Sequence, residues 1–153
     1  MSGRAAAFVR GARLLVAVLW AGSLWALGYV AAPTVFGMLG STQAGSIVGA
    51  LLERQAWLAI ACAVVLLVLA RLASDLDAKR RRTLVVLVVT MLACAMVIYL
   101  GLQPAMARMR EAAGPAGVRA SPYWTQFATM HGVSQLLHVI ESLLGAVLVL
   151  KSR

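Results

Sequence analysis

The residues best able to do chemistry are concentrated in one apolar run near the end of the chain. His131, Ser134, His138, Glu141, Ser142 and Gly145 recur at intervals of three and four. On a 3.6-residue helix this spacing makes one polar stripe. Glu141 stands about nine residues from the end of that run, close to mid-bilayer if the run is a span. A charge there is expensive, so Glu141 is expected to face other helices, to be neutral or to be paired. His138, three residues earlier, is the expected partner on the same face. The pair could carry protons or coordinate a small cation. Alternatively, a neutral Glu141 bonds a neighbouring helix and does no more than hold it.

Catalytic templates fit poorly. A Ser-His-Asp arrangement lacks its acid, because Asp75 and Asp77 fall at the opposite end of the bundle from His131. Di-iron bundles need carboxylates from several helices and a Glu-x-x-His order. Here the order is reversed, and no other apolar run carries an interior acid. A bis-histidine haem is excluded within one chain, since both histidines lie in the same run. No phosphate-binding glycine loop and no HExxH motif occurs. The expectation is a protein that is not an enzyme and carries no cofactor.

A metal reading rests on thioethers. Met106 and Met109 are three apart, Met130 directly precedes His131, and Met38 could join them. Soft sulfur with imidazole suits cuprous copper, but methionine is also an ordinary gap-filler in apolar packing. Trp20, Trp25 and Tyr29 could form an aromatic cage for a cation, although packing explains them equally. Cys62 and Cys94 lie inside apolar runs without metal-ligand spacing and read as small packing residues.

These residues need a bilayer to position them. Of 153 residues, 62% are hydrophobic and 12% charged, with a mean hydropathy of +0.89. An ordinary soluble domain carries about 25% charge, and so few ionic groups would leave large apolar patches in water. Crossing a bilayer takes ~20 helical residues. Charges divide the chain into spans at about 14–32, 54–72, 84–102 and 128–150, with Pro33 and Pro104 closing the first and third. Helices are required, because an open sheet edge in lipid leaves backbone groups unpaired. Residues 34–53 read as a turn followed by a helix capped by Ser41 or Thr42. That helix is expected to run on into the second span, tilted or protruding, with a separate half-helix lying at the interface as the alternative. Gly45 and Gly49, with Gly28 on the first span, are small faces suited to close helix packing or self-association. The fold expected is an all-α integral membrane four-helix bundle with an extended or broken second helix.

The formal charge of +9 is topological in its distribution. Arg4, Arg10, Arg13, Arg71, Lys79, Arg80, Arg81, Arg82, Lys151 and Arg153 share one side. Arg54, Arg108, Arg110 and Arg119 share the other. The positive-inside rule then places both termini and the 71–82 loop in the cytoplasm. Lys79, Arg80, Arg81 and Arg82 could also attract anionic headgroups, whereas a nucleic-acid partner is not expected. Trp57 and the pair Tyr123–Trp124 mark the opposite interface. The first span resembles a signal sequence but is long, and Pro33 directly follows the only plausible cleavage site, so retention is expected. The partners expected are the lipid bilayer and, beyond it, a second copy or another membrane protein.

Several short segments carry a family resemblance: Leu19-Trp20-Ala21-Gly22, Gly28 through Phe36, Ala44-Gly45 through Gly49, Gln103 through Arg110, and His131-Gly132-Val133-Ser134. In these the chain resembles the transmembrane-protein-205-like family, known in bacteria as domain of unknown function 4149. The resemblance implies a four-span protein of the bacterial inner membrane without an established activity, a small transporter or an accessory subunit. Links of relatives to platinum-drug resistance, and a more distant likeness to copper-resistance membrane proteins, make metal handling the alternative. His138 stands where the family pattern implies an uncharged polar residue such as Asn, and Glu141 is atypical of it.

Overall fold

A computed structural model describes residues 3–153. Among them, four helices are long and apolar enough to cross a membrane: α1 (Gly3–Met38), α2 (Ser41–Leu72), α3 (Ala78–Ala116) and α4 (Trp124–Lys151). Two residues join α1 to α2 and five join α2 to α3, so successive helices run antiparallel. α1 packs on α2 and α4, and α3 packs on the same two. The result is a closed ring of four helices. Only 28–33% of each apolar window is buried, while Leu15, Leu100 and Leu143 are each about two-thirds exposed. One stripe of each helix faces its neighbours, and the rest is a lipid-facing surface.

The buried stripes are built from small residues. Ala17 and Ala21 of α1, Ala59 and Ala63 of α2 and Gly145 of α4 are buried, with Trp20, Leu66, Met91 and Leu148 filling the space between them. In lipid, water does not drive helices together, so close van der Waals approach through small side chains has to. A Cβ placed on Gly145 would lie 3.1 Å from that of Ala21, which marks how near α4 comes to α1. Cys62 packs in this core, Cys94 is half-buried, and both are free thiols. Gln55 of α2 donates to the Ser23 hydroxyl of α1 at 3.1 Å, one of the few polar links between helices.

Pro33 and Pro104 do not end their helices. Each follows a six-residue wide turn, Ala26–Ala31 and Val97–Leu102. There the backbone N–H of Ala32 reaches back to Leu27, and that of Gln103 to Ile98, five residues rather than four. A proline offers no N–H and crowds the preceding turn. One inserted residue widens that turn and lets the helix continue. The Thr34 hydroxyl donates to the Val30 carbonyl at 2.7 Å, a back-bond to the preceding turn of the helix. α1 therefore runs to Met38, and α2 is continuous from Ser41, the extended form of the two expected. Gly40, not Ser41 or Thr42, is its N-cap.

One end of the bundle is tied by a buried cation. Arg13 is 1% exposed and donates to both Asp75 carboxylate oxygens, at 2.8 and 3.4 Å, and to the Ser152 carbonyl at 3.4 Å. These contacts join α1, the α2–α3 loop and the C-terminal end of α4. Arg13–Asp75 is the single ion pair among the described residues. The Arg13 guanidinium holds the Asp75 carboxyl below its ordinary range. Asp77 caps α3 by accepting the Arg80 N–H at 2.7 Å. Arg81 is turned back onto the Ala73 carbonyl at 2.9 Å, so Lys79, Arg80 and Arg82 are the exposed members of the basic run.

Candidate functional site

The polar stripe of α4 divides in two. His138, Glu141 and Ser142 are buried in the bundle, while the exposed His131 and the buried Ser134 line a cavity nearer the start of the helix. Trp20, Trp25 and Tyr29 of α1 form no cage. Each instead meets one position of the buried stripe. Trp20 directs its indole toward the Glu141 carboxyl, at a geometry looser than a full hydrogen bond, so Trp20 Nε1 and Glu141 Oε1 both lack a close partner. The Trp25 indole donates to the Ser142 carbonyl at 3.3 Å. Tyr29 packs edge-on against the His138 ring, 5.8 Å between centroids.

His138 and Glu141 are not hydrogen-bonded to each other. The imidazole turns toward the Leu24 carbonyl without closing a full hydrogen bond, while the carboxyl meets α1 near Trp20. Antiparallel helices offer successive turns of one to successive turns of the other, so residues three apart on α4 find different partners on α1. The His138 ring fits because Gly28 lies opposite it: a Cβ there would collide with Nε2. Gly28 stands within the wide turn of α1, so backbone irregularity, missing side chain and imidazole coincide. His138 Nε2 has no hydrogen-bond partner among the described residues. Cys94 of α3 lies close enough to Glu141 to interact electrostatically with it. Glu141 thus faces the bundle, at 1% exposure, as its cost in lipid requires.

Next to this buried group lies a cavity of about 590 Å³. All four helices and the α3–α4 connection line it, at the end opposite the Arg13 clamp. Gly28 belongs to its wall and also touches His138, so the imidazole is one residue removed from the open space. Gly114 and Gly117 take positive φ of 62° and 77°, a conformation that side chains resist. They fold the connection back so that Val118 and Arg119 join the lining.

Met106 and His131 both reach this cavity, whereas Met109 and Met130 are not among its lining residues. Among the described residues no three His, Cys, Asp or Glu side chains converge as a metal site. Gly45 and Gly49 serve a purpose not legible in their spacing. Their bare surface receives the Arg110 guanidinium, with Nη1 3.0 Å from where a Gly45 Cβ would stand. Neither Arg110 nor this ledge stood out in the sequence. The available signal was a charged residue nearly two turns past Pro104 on a helix expected to have ended.

A family model described as a domain of unknown function, DUF4149, matches residues 15–115. The chain belongs to the DUF4149 family. No curated protein and no solved structure matches it. The DUF4149 match covers the wide turns, the glycine ledge and Arg110. It ends before α4, so the stripe from His131 to Ser142 lies outside it. Membership thus carries a membrane architecture and no activity.

Proposed function

We propose that this DUF4149 protein is a non-enzymatic, multi-pass protein of the bacterial inner membrane, with both termini cytoplasmic, that takes up a small molecule from the opposite face. It acts as a small transporter or as the binding subunit of a larger assembly. The observation that supports this is the 590 Å³ cavity among all four helices, with Gly28 of its wall lying against the buried His138. Its volume lies within the ~300–1,000 Å³ usual for ligand pockets. Buried ionisable groups in a span commonly mark pathways for substrates, ions or protons. The orientation rests on the charge asymmetry of the loops, and the Arg13 clamp places the first part of α1, the α2–α3 loop and the end of α4 at one pole.

Cysteine labelling in a background lacking Cys62 and Cys94 tests both parts. In intact cells a reagent that cannot enter should modify Ala116→Cys but not Ala78→Cys, two exposed positions at opposite poles. The reverse pattern inverts the orientation. Ser134→Cys, in the cavity wall, should react from the same side as Ala116→Cys. If it stays inert while Ala116→Cys reacts, the cavity is closed to water and the uptake reading fails.

Glu141 separates holding from proton handling. Glu141→Gln keeps donor and acceptor groups, so folding should be unchanged. Glu141→Leu should lower stability by about 0.5–2 kcal/mol, the range of interhelical polar contacts. A protonatable Glu141 also predicts that solvent access to Ser134→Cys varies with pH and that Glu141→Gln abolishes the variation. Unaltered variation in Glu141→Gln assigns the residue to packing alone.

A further inference from the structure

The cavity wall carries positive charge and no acidic residue of its own. Arg110 is half-buried, and among the described residues it makes no hydrogen bond and no ion pair. Its guanidinium lies on the Gly45–Gly49 ledge and 5.9 Å from the centre of the Phe127 ring. Arg119 lies 5.2 Å from the centre of the Trp124 ring. Trp124, Phe127 and His131 stack in series along the first turns of α4, with centroid spacings of 6.4 and 6.1 Å. Both arginines are therefore held by aromatic faces, which attract cations while leaving their N–H donors unused. No Asp or Glu lines this cavity. Glu53 and Glu111 line a neighbouring hollow that shares Arg110, but both are exposed and neither pairs with it. The remaining wall is largely apolar, with Phe36, Val48, Leu52 and Met106 prominent.

A half-buried guanidinium is unfavourable when desolvation outweighs its compensation, and for Arg110 the exposed Glu111, too far for an ion pair, offsets only part of that cost. The ledge that admits it also leaves α2 without side chains where a packed helix would use them. Both features are rational if an anion completes the arrangement. We infer that the cavity binds an anionic amphiphile, a single carboxylate-type head on an apolar body, with Arg110 and Arg119 receiving the head and the apolar wall the body. This rests on the uptake reading above and specifies its ligand class. Arg110 suits the task because its fork presents paired donors to a carboxylate.

The test is protection of Ser134→Cys from labelling in the purified full-length protein. Decanoate, decanol of equal chain length and water-soluble 1-naphthoate serve as probes, with Ala116→Cys as a control outside the cavity. Decanoate or naphthoate should slow labelling of Ser134→Cys and leave Ala116→Cys unaffected, while decanol protects poorly. The stronger of the two acids indicates a bilayer-derived or a water-borne ligand. Arg110→Gln should raise the half-protecting acid concentration at least about tenfold, the equivalent of one charge-assisted contact. Its unfolding temperature should hold or rise, since an unpaired charge is removed. The exposed Arg119→Gln gives a second reading that does not depend on the bundle interior. Equal protection by decanol, or acid protection indifferent to both arginines, overturns the anionic assignment and leaves the cavity reading intact. Protection by none of the three probes overturns the assignment as well. Ser134→Cys that never labels defeats the cavity reading itself.

Discussion

Asp75→Asn should destabilise the bundle by about 2–4 kcal/mol. Breaking a buried ion pair by removing one partner typically costs ~3–5 kcal/mol, because the other charge is left uncompensated. Arg13 is 1% exposed, but the Asp75 side chain retains 26% of its surface, which shifts the expectation about 1 kcal/mol below that range. After the change, the guanidinium keeps only a neutral amide and the distant Ser152 carbonyl. Thermal or denaturant unfolding in detergent measures the loss. Replacing Arg13 as well, in Arg13→Met/Asp75→Asn, should recover most of it, since an apolar side chain tolerates the site. The pH dependence has a definite sign. The Asp75 carboxyl is held below its ordinary range in the folded protein, mainly by the Arg13 hydrogen bond. Its contribution is therefore complete above the unfolded aspartate range and is lost as pH falls through the lower folded value. Wild type should lose stability on acidification in that window, and Asp75→Asn should lack this component. A variant as stable as wild type at neutral pH would remove the clamp from the account of this fold.

Gly28→Ala should be the most damaging single-methyl addition in the chain. The new Cβ falls on the His138 ring, and the ring cannot swing away without giving up the Leu24 carbonyl and its packing on Tyr29. Overpacking costs ~1–3 kcal/mol, and Ala recovers up to ~1 kcal/mol over Gly in a helix. A net loss of about 1–2 kcal/mol is expected. Gly22→Ala is the control: nothing lies within 4 Å of its added carbon, so it should be neutral or stabilising. His138→Ala removes the obstacle, so the double variant should be more stable than the sum of the single changes predicts. Strict additivity would show that the two residues do not meet.

Both predictions concern contacts invisible in a linear reading, whereas the architecture was largely visible there. Composition and charge spacing fix four apolar helices, because a bilayer filters on average polarity over ~20 residues and ignores detail. The same local reasoning extends α2 from residue 41 and turns Glu141 inward, since no lipid-facing alternative is tolerable for a carboxyl at that depth. Where that reasoning fails, the failures share a cause. Pro33 and Pro104 read as stops because a regular helix cannot absorb them; wide turns can, and each adds a residue that shifts the helical phase. Faces projected at 3.6 residues per turn then lose register beyond residues 31 and 102. This is why Arg110, on the continued part of α3, did not register as a cavity residue. Partner choice is the other gap. Glu141 has Trp20 rather than His138, Gly28 faces an imidazole, Gly45 and Gly49 receive a guanidinium, and Arg13 is buried rather than merely topogenic. Each match joins positions on different elements, several more than 60 residues apart in the chain. Local periodicity states which residues face inward. Only the relative height and rotation of the packed helices, set by how closely Ala21 and Gly145 let α1 and α4 approach, decides which of them meet.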